Sequence, residues 1–417
     1  MCSIGQELTR MGHRVTVVAR GKAEAIAGRF GLGFCELGSA DLSGYRPPWR
    51  IDAMMLGVVG LSFASRLRAR WKHMARLVLD FGPPELIRLG VDGLLVDQDL
   101  VAGGTVAERL GLPFVSVSNA LHWNEEAAVP PHYTGWSYSE TLWAMARNRL
   151  GHAAWHGFMR PVLAIVNRQR DAWGLARLRG PADTYSPLAQ IGQGCRGLDF
   201  PRRELPSTFH YVGALGAERS AQDDDFPWDR LDGRPLIYAS MGTVPHRANA
   251  LVLQKVAVAC AGTDAQLVIG LGRWKGEKDG AEACLRDLPG DPLVVDFVPQ
   301  LRLLDRAALL VTHAGMNTVG EALSRAVCML ALPRNADQFA VAARLVHAGV
   351  GLRASFRRST PGELRGLIGR LLAEPEFRAR AERMRREIVD AGGARRAAAI
   401  AERALVGRRP VARDAPL

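Results

Sequence analysis

The chain has 417 residues, 48% of them hydrophobic, with 44 Gly and 23 Pro. That is room for two ordinary domains with full cores, and it excludes a disordered or collagen-like chain. The formal charge of +12 leaves open a solvated Arg-rich surface, contact with an anionic membrane surface, or nucleic acid, and no recognised nucleic-acid motif is present.

No window approaches the roughly 20 uninterrupted apolar residues of a membrane span, and no signal peptide leads the chain. The cysteines at 2, 35, 195, 260, 284 and 328 form no C-x-x-C pair, which argues against a zinc site or a disulfide framework. A cytoplasmic protein is the expectation.

The chain opens with MCSIGQELTRM, an amphipathic helix with Ile4, Leu8 and Met11 on one face, stopped at Gly12-His13 and followed by the strand VTVVA at 15 to 19. An α/β domain ordinarily places a strand ahead of this helix. The expectation is therefore a misassigned start codon or a truncated chain. Further strands are read at GLLVD (93 to 97) and FVSVS (114 to 118), and helices at 63 to 81, 103 to 110 and 139 to 173, one Rossmann-like layer to about residue 205.

Within 66 to 79, RLRARWKHMARLVL, the residues Leu67, Trp71, Met74 and Val78 share a helix face flanked by Arg and Lys. That is the pattern of a helix lying on an anionic membrane. Strand 93 to 97 ends in Asp97-Gln98-Asp99, a D-x-D pair that can hold a divalent cation or merely cap a loop. The aromatic-rich stretch after residue 118 contains His122 and Trp123, which serve either as contacts for a bound molecule or as loop packing. His122 is also a candidate base.

The acidic GAERSAQDDDFPWDRLDGRP lacks an apolar pattern and reads as a linker. The expected division is 1–215, a linker over 216–233 with its boundary near residue 225, a second domain over 234–390, and a helix and tail over 391–417. The strand PLIYASMGTV turns at Met241-Gly242 toward a helix beginning near Ala248 and offers Ser240, Gly242 and Thr243 to a phosphate. After a strand at 266 to 270 comes DFVPQ, where Phe297 can stack on a base, the Val298 backbone can bond its edge, and Gln300 can reach base or ribose.

The stretch from 309 to 339 carries most of the chemistry. LLVT reads as a buried parallel strand, the chain breaks at Ala314-Gly315, and a helix follows with Val319, Ala322, Leu323 and Ala326 on one face. Such a turn presents unpaired amides and the positive end of a helix dipole, a site for a diphosphate, with Gly315 allowing close approach. His313, Asn317 and Thr318 supply donors, and Glu321 a carboxylate suited to the two hydroxyls of a ribose. A second strand delivers Asp337 and Gln338, a pair suited to adjacent sugar hydroxyls. The tail from 374 to 405 is helix-prone with a break at Gly392-Gly393, and RRPVARDAPL is expected to fray.

His313, Glu321 and Asp337-Gln338, in this order and spacing, resemble the C-terminal signature of UDP-dependent glycosyltransferases of the GT-B fold, apart from Ala314 where many members have Gly or Cys. The runs LLVDQDLVAGGTVAERLGLPFVSVSNAL, SPLAQIG, LDFPRRELPSTFHYVGAL, PLIYASMGTV and HAGMNTV look like the bacterial zeaxanthin (carotenoid) glucosyltransferases. The resemblance implies two Rossmann-like domains with parallel sheets facing across a cleft, the first for the acceptor and the second for the nucleotide sugar. It also implies a terminal helix crossing back over the first domain.

The implied reaction is transfer of glucose from UDP-glucose to a hydroxyl of an apolar acceptor such as a carotenoid, with inversion, no metal and no cofactor. It makes Asp97 the partner of a catalytic His on a loop missing from this chain. A carotenoid acceptor implies a cytoplasmic enzyme touching the inner membrane face, without nucleic acid, its oligomeric state open. Other readings are glycosylation of a soluble polyketide, macrolide or terpenoid, and a catalytically impaired sugar-nucleotide-binding protein.

Overall fold

The structure is a computed structural model that describes residues 1–21, 23–38, 59–216, 226–242, 247–272 and 285–413. The N-terminal half begins with helix α1 (Cys2–Arg10), strand β1 (Thr16–Ala19), α2 (Ala23–Arg29) and β2 (Gly33–Glu36), then the long α3 (Val59–Leu89). It continues with β3 (Leu94–Asp97), α4 (Gly103–Arg109), β4 (Phe114–Ser118), α5 (Leu142–Ala172), β5 (Gln190–Gly192) and β6 (Phe209–Tyr211).

The second half contains β7 (Leu236–Ser240), α6 (Arg247–Cys260), β8 (Gln266–Gly270), β9 (Leu293–Val295), α7 (Gln300–Leu304), β10 (Ala307–Thr312), α8 (Met316–Leu323) and β11 (Cys328–Ala331). After them come α9 (Gln338–His347), β12 (Gly351–Arg353), α10 (Pro361–Ala373), α11 (Pro375–Asp390) and α12 (Gly393–Gly407).

The strands VTVVA, LLVD and FVSVS form where their patterns place them, and the 63–81 helix runs on through Pro83 and Pro84 to Leu89. All ladders between named strands are parallel. In the second half one six-stranded sheet runs β12-β11-β10-β7-β8-β9. Its central strands are buried on both faces, as helices on either side require, so Leu309, Leu310, Val311, Met329 and Leu330 form a near-continuous apolar run.

Among the described residues the strands of the N-terminal half form two hydrogen-bonded ladders, β1-β2 and β3-β4-β5-β6. They share cores even so: Val18 and Leu94 pack on one apolar cluster, and Val15 and Leu95 on another. Among the described residues β1 pairs only with β2 and β3 only with β4, so each presents one edge without a strand partner.

The chain returns to its beginning at the end. Ala397, Ile400, Ala401 and Ala404 of α12 lie in one buried cluster with Ile4 and Leu8 of α1 and Val115 and Val117 of β4. The expected fraying of the tail is corrected over 408–413: Val411 is buried, its N–H bonds the Leu188 carbonyl at 2.9 Å, and the Arg413 N–H bonds the Ser207 carbonyl at 2.7 Å. The terminal segment thus satisfies backbone groups beside β5 and β6. Residues 217–225 of the expected linker, including Asp223 to Asp225, lie outside the described residues.

The face of α3 expected to meet a membrane is also corrected. Trp71 and Val78 are buried, with Leu67 and Met74 packed against the same cluster. Trp71 meets Trp123 at 5.6 Å and Trp155 at 5.5 Å between ring centroids. The apolar face is satisfied inside the protein because α5 and the segment after β4 lie against it. No helix among the described residues is long and apolar enough to cross a membrane.

Candidate functional site

In the six-stranded sheet the order reverses between β7 and β10, which are neighbours although not consecutive. In an open α/β sheet, the crevice beyond the carboxyl ends of the strands at such a reversal is the place for a ligand. The register aligns Ser240 with Thr312, so the loops leaving β7 and β10 emerge side by side.

His313 follows β10 at once, and its imidazole is held between two glycines. A Cβ on Gly242 would lie 3.0 Å from His313 Cε1, and a Cβ on Gly315 would lie 2.6 Å from His313 Nε2. At Gly315 this adds a packing reason to the expected close approach of a ligand. Its missing side chain makes room for the His313 ring, and the left-handed residue of the turn is Ala314, at φ 65, while Gly315 has φ −70. A Gly at 314 would adopt that φ without strain.

Burial lowers the His313 pKa to about 4, with the Ser240 backbone opposing and Arg334 adding to the shift. The ring is therefore neutral near pH 7 and can donate a hydrogen bond without adding charge. Helix α8 starts immediately beyond, with Gly315 as its N-cap residue and no side-chain cap, so its first amides point into the crevice.

One turn along α8, Thr318 and Glu321 meet Gln300 from the start of α7. Gln300 donates through Nε2 to Glu321 and to Thr318 Oγ1 at 3.5 Å, and its Oε1 accepts the Tyr238 hydroxyl at 3.1 Å. Glu321 is 4% exposed. Phe297 is 39% exposed and Val298 is buried, just ahead of this cluster. Asn317 turns the other way, its Oδ1 accepting Gln193 Nε2 of the N-terminal half at 2.8 Å. Thr243 lies outside the described residues, and Ser240 is buried at the end of β7.

Asp337 is the N-cap residue of α9, and its Oδ2 accepts the Leu121 N–H across the seam at 3.2 Å. Gln338 accepts the N–H groups of Arg334 and Asn335 through Oε1, at 3.0 and 3.2 Å, which closes the loop leaving β11. Burial raises the pKa of Asp337, with the Leu121 amide opposing.

Opposite stands the carboxyl edge of β3. Asp97 accepts from Asn119 Nδ2 and from the Asp99 N–H at 2.9 Å, and Asn119 Oδ1 receives the Met1 ammonium at 3.2 Å. Asp99 reaches solvent but is crowded by the groove, and that burial, with Asp97 and Asp337 adding like charge, pushes its carboxyl up to about 7. Among the described residues no group of three or more His, Cys, Asp or Glu is arranged to hold a metal.

Two expected contact residues are placed elsewhere. His122 is 2% exposed and Trp123 is 6% exposed. Asn124 Nδ2 faces His122 Nδ1 at 3.2 Å, which leaves the His122 proton on Nε2, directed at Asp199 Oδ2 at 2.9 Å. Burial, then the nearby Arg202, lowers the His122 pKa to about 4, so it is neutral and already engaged. Trp123 belongs to the aromatic core with Trp71 and Trp155, and its backbone N–H donates to the Tyr185 hydroxyl at 2.9 Å. Sequence reading missed Asn119, Gln193, Asp199 and Arg344. Only Asn119, one residue beyond a strand end, carried a local signal.

The chain is similar to known proteins over nearly its whole length. The family model "Erythromycin biosynthesis protein CIII-like, C-terminal domain" matches residues 255–397. The solved structure of the glycotransferase of kitacinnamycin superposes with a TM-score of 0.72 at 24% identity, covering 97% of this chain and 94% of that one. The fold is GT-B.

A zeaxanthin glucosyltransferase of Pseudescherichia vulneris is 36% identical, over 98% of this chain and 95% of that protein. One from Pantoea ananas is 32% identical, over 98% and 93% respectively. The chain belongs to the GT-B family of UDP-glycosyltransferases that contains these enzymes.

Proposed function

We propose that the protein transfers glucose from UDP-glucose to a hydroxyl of an apolar acceptor, a carotenoid diol such as zeaxanthin, with inversion at the anomeric carbon. The observation that carries this reading is the joining of Gln300, Thr318 and Glu321 beside the His313 turn, in a chain alike over its length to proteins named for that reaction. Uracil stacks on Phe297 and bonds the Val298 backbone. Glu321 holds the ribose hydroxyls, and Asp337 with Gln338 holds those of the sugar. Amides at the start of α8, with Thr318, Ser240, Gly242, Thr243 and neutral His313, stabilise charge developing on the leaving diphosphate.

The acceptor oxygen attacks the anomeric carbon from the face opposite the diphosphate, and its proton passes to a base. With His122 buried, the carboxylates of this chain suited to take or orient that proton are Asp97 and Asp99. A divalent cation is not needed, so EDTA should leave turnover unchanged.

The test combines calorimetry with UDP and an assay with labelled UDP-glucose and zeaxanthin in micelles. Expected are UDP binding and a glucoside whose anomeric coupling reports inversion. Binding with no transfer to any acceptor would mark a non-catalytic sugar-nucleotide binder, and absence of binding would sink the reading. A second reading, a soluble macrolide-like acceptor, has the family model in its favour. That match is confined to the donor half, and acceptor competition decides between the two. Membrane contact belongs to the carotenoid reading, and flotation with anionic liposomes at low salt tests it.

A further inference from the structure

Helix α9 carries Asp337 and Gln338 at its start and is tied to the N-terminal half at two heights. The first tie is the Asp337 bond to the Leu121 N–H. The second lies two turns further on, about 10 Å along the helix axis, where Arg344 Nε donates to Asp199 Oδ1 at 2.7 Å. Asp199 stands between β5 and β6, and its other oxygen receives Arg202 Nε at 3.0 Å, the Tyr211 hydroxyl at 2.6 Å and His122 Nε2 at 2.9 Å. The Arg344 guanidinium lies over the Phe200 ring at 4.3 Å and also bonds the Ala340 carbonyl of its own helix at 3.2 Å. Arg344 is 1% exposed and Asp199 6%.

His122 follows Leu121 directly, so the second tie reaches through Asp199 the same short loop after β4 on which the first one ends. Two attachments at different heights fix the rotation of a helix as well as its distance, which a single bond does not.

We propose that Asp199 and Arg344 are positioning residues: a cross-domain clamp that sets the height of Asp337 and Gln338 over residues 119–122, so that the reacting carbon and the acceptor oxygen meet in line. The catalytic part of this inference rests on the glycosyl-transfer reading, while the mechanical part stands without it. Both residues of the clamp are buried, so it acts through the segments it joins. Its loss misplaces the sugar pair against the acceptor, and a displacement of about 1 Å costs on the order of 100-fold in rate.

The experiment uses the full chain and the variants Asp199→Asn, Arg344→Lys, Arg344→Met and Tyr211→Phe. Amide hydrogen exchange and steady-state kinetics are measured on each. Expected is faster exchange in the first turn of α9 and in residues 119–122 together, with β10 and β11 unchanged. The rate constant kcat falls about 100-fold in Asp199→Asn and Arg344→Met, while the donor KM moves less than about threefold, because His313 and Glu321 sit on the donor half. Arg344→Lys recovers part of kcat.

Tyr211→Phe keeps every charge of the pair and is the variant to read if the others do not fold, with an expected kcat loss of about 3- to 10-fold from one hydrogen bond. Rates falling only in proportion to the folded fraction, or exchange changing independently in the two segments, would overturn the clamp. Should the wild type bind UDP and transfer no sugar, the function reading falls and the exchange comparison alone decides: joint loosening supports the clamp, separate behaviour sinks it.

Discussion

The His313 imidazole fills the gap between Gly242 and Gly315, so the ring and the two backbone turns define one another. Gly315→Ala would put a methyl 2.6 Å from Nε2, and the ring must swing aside. UDP affinity should then drop by about 10-fold or more, one charge-assisted hydrogen bond, with Tm lowered only slightly. Unchanged affinity by calorimetry would remove His313 from the donor site.

The same burial makes a pH prediction. His313 and His122 both have folded pKa values near 4, below the ordinary 6.5, so as pH falls the unfolded chain binds protons first. The stability each contributes is full above about 6.5 and is lost progressively toward pH 4. After discounting for partial exposure, His313 accounts for no more than about 2 kcal/mol. His313→Gln should flatten part of the Tm decline between pH 6.5 and 4, and a slope identical to wild type would contradict it. At this scale the sequence showed which residue types gather, because the spacing from His313 to Asp337 is local. It could not show that Gly315 serves the ring, or that His122 is already partnered, since Asp199 lies 77 residues away.

Elements were legible in proportion to how far one periodicity runs. The strand β10 and helix α8 stood out because a parallel strand buried on both faces reads as an uninterrupted apolar run. The edge strand β12, three residues long with only Gly351 buried, has no such pattern. Helix α11 depends on a contact no periodicity announces: at Gly213, with φ 77, a Cβ would lie 2.1 Å from the Ile388 carbonyl oxygen. Gly213→Ala should therefore lift the end of α11 and cost about 2–3 kcal/mol through the forced φ and the lost docking, read by chemical denaturation. A loss under about 0.5 kcal/mol would show that α11 has room to move.

At the scale of the molecule, alternation of pattern pointed to α/β architecture, but which strands lie side by side could not be read, because pairing is set by neighbours rather than by any strand's own residues. The terminal helix gives a further prediction. Ala401 of α12 is fully buried among residues of the N-terminal half, so Ala401→Asp places an unpaired charge there and should destabilise by about 3–5 kcal/mol. Hydrogen exchange should rise across β3 to β6 and α1 while β7 to β12 keep their protection. Uniform loosening of both sheets would show that the halves unfold as one.

Helix α12 also means that the backbone passes between the halves twice, once ahead of β7 and once at Gly392-Gly393, where both glycines take positive φ and the Gly393 N–H bonds the Val212 carbonyl at 2.7 Å. The first and last helices thus close the chain into a ring, and loosening either one takes support from the other.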